Sequence, residues 1–208
     1  MNIGIVGSGH IGGTLAAKLA QAGHDVSLAN AHGPRSLQAR LDTMGGKVRA
    51  ATVEEAERFG QVVIVAIPFG QYRSLSPELL RGKIVVDTGN YYPQRDGHFR
   101  ELDDDSTTSC ELVAEYLQGA RVVKGFNALR SDVLRDEGKP AGTPGRLAMP
   151  HAGNDAAAKH VVSGLIDEIG FDPVDLGSLS EGGRRIQPGS PVYPARLTAL
   201  EMVQRLAA

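Results

Sequence analysis

Three glycines near the amino terminus, Gly7, Gly9 and Gly12, stand at the spacing G-x-G-x-x-G. That spacing can build a seat for a pyrophosphate. The first glycine permits a tight turn, the second lets phosphates approach bare backbone, and the third lets a helix pack closely on a strand. Free N–H groups and the positive end of the helix dipole then face the anion. A glycine triplet alone is common, so its meaning rests on what flanks it. Here Asn2 to Val6 is a short β-branched run that predicts a buried strand. From Ile11 the pattern turns helical, with Leu15, Leu19 and Ala20 on one face. Gly23 is placed to end that helix in the left-handed conformation, and Val26 and Leu28 begin a second strand. Strand, turn, helix and strand all sit where a dinucleotide-binding unit requires them.

The end of the second strand bears on which dinucleotide. An Asp or Glu there would hydrogen-bond the ribose 2′-hydroxyl of NAD(H). The position holds Asn30, followed by Ala31, His32, Gly33, Pro34 and Arg35, without a carboxylate. Asn30 can donate an amide N–H, and Arg35 with a protonated His32 can supply positive charge to a 2′-phosphate. The loop favours NADP(H). NAD(H) is the alternative if His32 and Arg35 are ordinary solvated turn residues.

The rest of the chain must position these groups. Its 208 residues, 41% hydrophobic and 22% charged, can build one sizeable core. A net charge of −2 gives no basic footprint for nucleic acid. No apolar run reaches transmembrane length, and the second residue already lies in a strand, so neither a membrane anchor nor a signal peptide is expected. A single cysteine, Cys110, fits a reducing cytoplasm. It falls in the first turn of a helix capped by Thr108 with Glu111, where a thiol pKa can be lowered, but without a partner motif a structural role is expected.

Further strands are predicted at Val48–Ala51, Gln61–Ile67, Lys83–Asp87, Arg121–Gly125, from Leu147–Met149, and at Phe171–Leu176. Helices are predicted at Val53–Phe59, Glu111–Leu117 and Leu129–Arg135. A longer one, capped by Asn154, carries Val161, Leu165 and Ile169, and another is capped by Thr198 with Glu201. Alternating strands and helices imply an α/β protein with a doubly wound parallel sheet. Ligands of such sheets bind beyond the carboxyl ends of the strands. The loops Pro68–Gln71, Thr88–Gly97, Phe126–Asn127 and His151–Asn154 are therefore expected at one edge. A dinucleotide-binding domain over 1–176 leaves 177–208 as an extension packing on it, too short for a second, helical substrate domain. The substrate is then held by the loops, by this extension or across a dimer interface. No Tyr-x-x-x-Lys pattern marks a proton donor; Tyr91, Tyr92, His98 and His151 are candidates, each more often a packing or loop residue.

Several segments carry a resemblance: GSGHIGG, ANAHGPRSL, VVIVAIPF, VDTGNYYPQRDG, ARVVKGFNAL, AGNDAAAKHVV, GFDPVDLGSL and RRIQPGSPVYP. Together they resemble the NADPH-dependent reductases of the deazaflavin coenzyme F420, in particular short bacterial members, nearly end to end. The resemblance implies a single Rossmann-type domain with a short C-terminal extension, and a homodimer. It implies that Ser8, His10 and Ile11 line the pyrophosphate loop and that Asn30 to Arg35 meet the 2′-phosphate. Ala66, Ile67 and Pro68 would lie along the nicotinamide half, and the acceptor near Asn90, Tyr91, Phe126 and Asn127. Where the family usually reads Asn-Ser-Arg, this chain has Asn30, Ala31 and His32, leaving Arg35 to supply the charge. The acceptor stays open among deazaflavin, flavin, a quinone-like compound or another small oxidant. Two other readings stand beside this one. The first is an imine or carbonyl reductase related to pyrroline-5-carboxylate reductase. The second is a non-catalytic NADP(H)-binding module that senses redox state.

Overall fold

Apolar runs such as VVIV and IVVD must hide both sides of a strand, and the structure gives each side its own core. The computed structural model describes residues 1–44, 47–194 and 196–208. Its strands are β1 (Asn2–Val6), β2 (Asp25–Ala29), β3 (Val48–Ala51), β4 (Val62–Val65), β5 (Ile84–Asp87), β6 (Arg121–Lys124), β7 (Ala148–Gly153) and β8 (Asp172–Asp175). They form one sheet in the order β3-β2-β1-β4-β5-β6-β7-β8. Along β4, Val62 and Ile64 face one core while Val63 and Val65 face the other; along β5, Ile84 and Val86 oppose Val85 in the same way. This is the two-residue period of a strand covered on both sides.

Helices fill both cores. The first core takes Leu15, Ala16 and Leu19 from helix His10–Gln21, with Val162, Leu165 and Ile166 from helix Ala156–Glu168. The second takes Phe69 and Tyr72 from a 3₁₀ turn (Phe69–Ser74) and Cys110 and Val113 from helix Ser109–Tyr116. A smaller cluster joins Ala148 and Ala152 of β7 to Ile186, Val192 and Met202, which pins the carboxyl-terminal segment and its last helix, Ala199–Ala207, to the sheet.

Strands β1 to β6 are parallel, as expected, but β7 runs antiparallel to β6, with β8 parallel to β7. The link from β6 to β7 carries only the short helix Ser131–Asp136, which does not run back along the sheet, so the chain re-enters from the edge at which it left. His151 stays level with Gly125, just past the end of β6, whereas Gly153 lies opposite Val123, so the turn at Asn154 leads away from the edge that the other three loops share. His151 itself is a buried β7 residue, its Nε2 3.0 Å from Ser163 Oγ, and burial holds its pKa down. The cap of the long helix also differs from expectation. Asp155 caps it, accepting from the Ala158 N–H at 2.7 Å, whereas Asn154 accepts from the Leu179 N–H.

Close backbone contacts hold the amino-terminal unit together. Helix Val53–Phe59 crosses β1 so tightly that a Cβ on Gly4 would lie 2.1 Å from the Ala56 carbonyl oxygen. Gly4→Ala is expected to destabilise the protein by about 1–3 kcal/mol through overpacking. Urea denaturation measures this; an unchanged midpoint would mean the helix does not seat on β1 as described.

Candidate functional site

The sheet order changes direction at β1, whose neighbours are β2 and β4, and the crevice beyond their carboxyl ends receives the glycine turn. Each glycine has its own constraint. Gly7 has φ +110°, and a Cβ there would lie 2.1 Å from the Ala66 carbonyl oxygen. At Gly12 a Cβ would lie 1.9 Å from the Gly7 carbonyl oxygen, so helix and turn touch backbone to backbone. Gly9 is different: nothing lies within 4 Å of the position a Cβ would take. It forms the N-cap of helix His10–Gln21 without a side-chain hydrogen bond, and the first turn carries no acidic residue. An uncapped helix start beside open space is the geometry an anion needs.

Asn30, at the tip of β2, ties two loops together. Its Nδ2 donates to Ser8 Oγ at 3.1 Å and to Ser36 Oγ at 3.0 Å, while its Oδ1 accepts from the His32 N–H at 2.9 Å. The amide thus organises the loop and fastens it to the glycine turn, rather than standing free for a ligand. Ala31, His32 and Arg35 are exposed on this loop. His10 is exposed and Ile11 half-buried at the helix start. Sequence reasoning missed Arg40, which reaches from helix Gln38–Met44 to the carbonyls of Ser8 and Gly9.

Across the crevice, Ala66, Ile67 and Pro68 leave β4. The next two strands end in opposite charges that pair: Asp87 and Lys124 are adjacent in register, both buried, with Nζ 2.8 Å from Oδ2. Asp87 Oδ1 accepts from the Gly89 N–H at 2.8 Å, and Lys124 also donates to the Gly89 carbonyl. The pair anchors the start of the Thr88–Gly97 loop. Sequence reasoning missed it, although a charge closing each of two apolar strands, IVVD and RVVK, was the available signal.

Above the pair lies an amide and phenol network. Asn127 Nδ2 donates to Asn90 Oδ1 at 3.0 Å and to the Ile186 carbonyl at 2.7 Å. Asn90 Nδ2 donates to the Asn127 carbonyl at 3.2 Å and to Tyr193 Oη at 3.1 Å. Tyr193 meets Tyr92 hydroxyl to hydroxyl, and burial with that contact raises its pKa. Tyr193 lies in RRIQPGSPVYP, a segment that carries the resemblance but to which no role was assigned.

One expected acceptor contact, Phe126, is corrected, whereas Tyr91 lies at the cavity beside its loop. Phe126, at φ 58°, is wholly buried in the first core and presents no ring to the crevice. A bulky residue in the left-handed region is strained by about 1–3 kcal/mol, and packing around the ring holds it there. Tyr91 packs edge-on against Phe69 and Phe99 and donates to Asp103 Oδ1 at 2.6 Å. The candidate proton donor His98 is tied to the same carboxylate at 2.8 Å. A cavity of about 350 Å³ remains beside this loop, lined by Tyr91, Tyr92, Pro93, Leu102, Gln187 and Pro188 among others.

Cys110 takes its predicted place after Thr108, with the capping box to Glu111 formed. Burial overrides the helix terminus and pushes the thiol up to about 11.

Sheet order, open glycine turn and crevice define an α/β protein of the Rossmann dinucleotide-binding class. Residues 2–91 match the family described as NADP oxidoreductase, coenzyme F420-dependent, and the chain belongs to that family. It is similar to a hypothetical protein, SMa0349, of Sinorhizobium meliloti, with 34% identity, 93% of each chain covered and a TM-score of 0.82. It is also similar to a protein described as an F420-dependent NADP reductase from Arthrobacter sp. FB24, at 28% identity, 86% of each chain and a TM-score of 0.72. Among curated relatives, rat metalloreductase STEAP3 is 28% identical over 180 residues, 86% of this chain and 34% of that protein. The chain thus spans about a third of the length of the metalloreductases it matches. Among the described residues no helix is long and apolar enough to cross a membrane.

Two outcomes follow from this geometry. Gly9→Ala should leave the denaturation midpoint unchanged, because its Cβ meets nothing, whereas Lys124→Ala strands a buried carboxylate and should cost about 3–5 kcal/mol. Native Cys110 should resist a maleimide near neutral pH and react only on unfolding; fast native labelling would contradict its burial.

Proposed function

We propose that the protein is an NADP(H)-dependent oxidoreductase that passes hydride between the nicotinamide and a planar acceptor of the flavin or deazaflavin kind. The observation that carries this reading is the open face of Gly9 at an uncapped helix start, in a crevice at the sheet's switch point. The residues suit a dinucleotide: a Cβ at Gly9 would fill the space, and the loop Asn30–Ser36 holds no carboxylate to repel a 2′-phosphate. Gly7, Ser8, Gly9, His10, Ile11 and Gly12 would hold the pyrophosphate, with His32 and Arg35 supplying charge for the 2′-phosphate. Ala66, Ile67, Pro68 and Asn90 would border the nicotinamide. When bound, the coenzyme supplies the hydride, and the protein's work is alignment.

The polar network shapes the rest of the reading. Asn90 is held by Asn127 and Tyr193, and the cavity lined in part by Tyr91 and Tyr92 would give a flat ring a shelf beside the nicotinamide. Hydride transfer to a flavin-like ring needs little more than such a shelf. Imine or carbonyl reduction needs a placed proton donor, and of the four candidates Tyr91 and His98 are bonded to Asp103, Tyr92 to Tyr193, and His151 lies inside β7. The same chain would act as a homodimer in the cytoplasm, with 177–208 completing the site.

Loss of NADPH absorbance, followed with riboflavin, FMN and coenzyme F420 in turn, tests the reading. Turnover with at least one is expected, and none with any would point instead to a non-catalytic NADP(H)-binding module. Arg35→Ala should weaken NADPH by about fivefold while leaving NADH unchanged, the scale of one exposed charge contact. Equal loss for both coenzymes, by titration calorimetry, would show that Arg35 does not read the phosphate.

A further inference from the structure

Arg40 does something the glycine spacing does not explain. Its Nη1 donates to the Ser8 carbonyl and its Nη2 to the Gly9 carbonyl at 3.2 Å, so one planar guanidinium holds two successive peptide groups. The guanidinium lies over Gly13, where a Cβ would come within 2.1 Å of Nη2. Gly13, a fourth glycine outside the G-x-G-x-x-G positions, is therefore the gap through which the side chain reaches the turn. In a trans peptide the carbonyl and the next residue's N–H point in opposite directions. Holding the Ser8 carbonyl on Arg40 thus aims the Gly9 N–H away from Arg40, and holding the Gly9 carbonyl does the same for the His10 N–H. Neither N–H has a hydrogen-bond partner among the described residues.

We infer that Arg40 is a positioning residue for the dinucleotide, turning the Gly9 and His10 N–H groups toward the pyrophosphate from behind. The inference rests on the dinucleotide reading above and goes beyond it. It assigns a role to a residue outside the glycine motif, and it separates two kinds of cation near β2. Arg35 and His32 distinguish NADPH from NADH, whereas Arg40 serves the part both share. A lysine at 40 would keep the charge but lose the fork that spans two carbonyls. Any bulk at 13 would push the guanidinium off the turn.

Calorimetric titration of the full chain with NADPH and with NADH tests this on wild type, Arg40→Ala, Arg40→Lys and Gly13→Ala. All three variants are expected to raise Kd for both coenzymes by about tenfold, the scale of a charge-assisted hydrogen bond. A second readout needs no coenzyme: the amide resonances of Gly9 and His10 should shift when inorganic pyrophosphate is added to wild type, and in Arg40→Ala only at about tenfold higher concentration. Kd values within about twofold of wild type in Arg40→Ala overturn the inference, with or without a lowered Tm. So does a loss confined to NADPH, which would make Arg40 a reader of the 2′-phosphate. Full affinity in Arg40→Lys would show that charge alone suffices and would overturn the geometric argument. If wild type binds neither coenzyme, the dinucleotide reading fails first, and the two failures are told apart.

Discussion

Contact between backbones, without side chains between them, is the constraint on which this molecule depends. Gly12 rests on the Gly7 carbonyl, Gly7 on the Ala66 carbonyl, and Gly4 on Ala56. Helix, turn and two strand ends are drawn together at distances that no larger residue permits. That closeness puts the first turn of the helix at the lip of the sheet, where its unsatisfied N–H groups face the crevice. The hydrophobic cores on either face are then ordinary packing around a fixed backbone junction.

Polar groups reinforce the same edge from both sides. On one side Asn30 joins the β2 loop to Ser8, and Arg40 holds the carbonyls of the turn. On the other, the buried Asp87–Lys124 pair sets Gly89, and Asn90, Asn127 and Tyr193 continue the network outward. A buried ion pair is a poor source of net stability, because desolvation offsets much of the attraction. Its value here is geometric: it fixes where a loop begins.

Much of this was legible from residue order alone. The first βαβ unit, the buried strands β4 and β5 and the capping boxes at Thr108 and Thr198 follow from local patterns, since period, cap and glycine are near-neighbour signals. The reversed direction of β7 was not legible, because it depends on how a chain of irregular loop returns to the sheet. With that reversal the turn at Asn154 leads away from the expected edge, while His151 stays beside Gly125 but is buried. Phe126 was expected at the acceptor from the resemblance and from its place in a loop after a strand; its left-handed backbone and burial put the ring in the core instead. Arg40 and Tyr193 reach the site over long sequence separations that no periodicity reports, whereas Asp87 and Lys124 were readable as charges out of place in apolar strands.

Tyr193 also links two parts of the molecule that the chain keeps apart. Its hydroxyl touches Asn90, while Val192 beside it is buried with Met202 of the last helix. Fraying of that terminal cluster would withdraw the phenol from Asn90, so local opening at the carboxyl end would loosen the Asn90 loop as well. Whatever clamps the final helix in place would also steady Asn90, some hundred positions upstream in the chain.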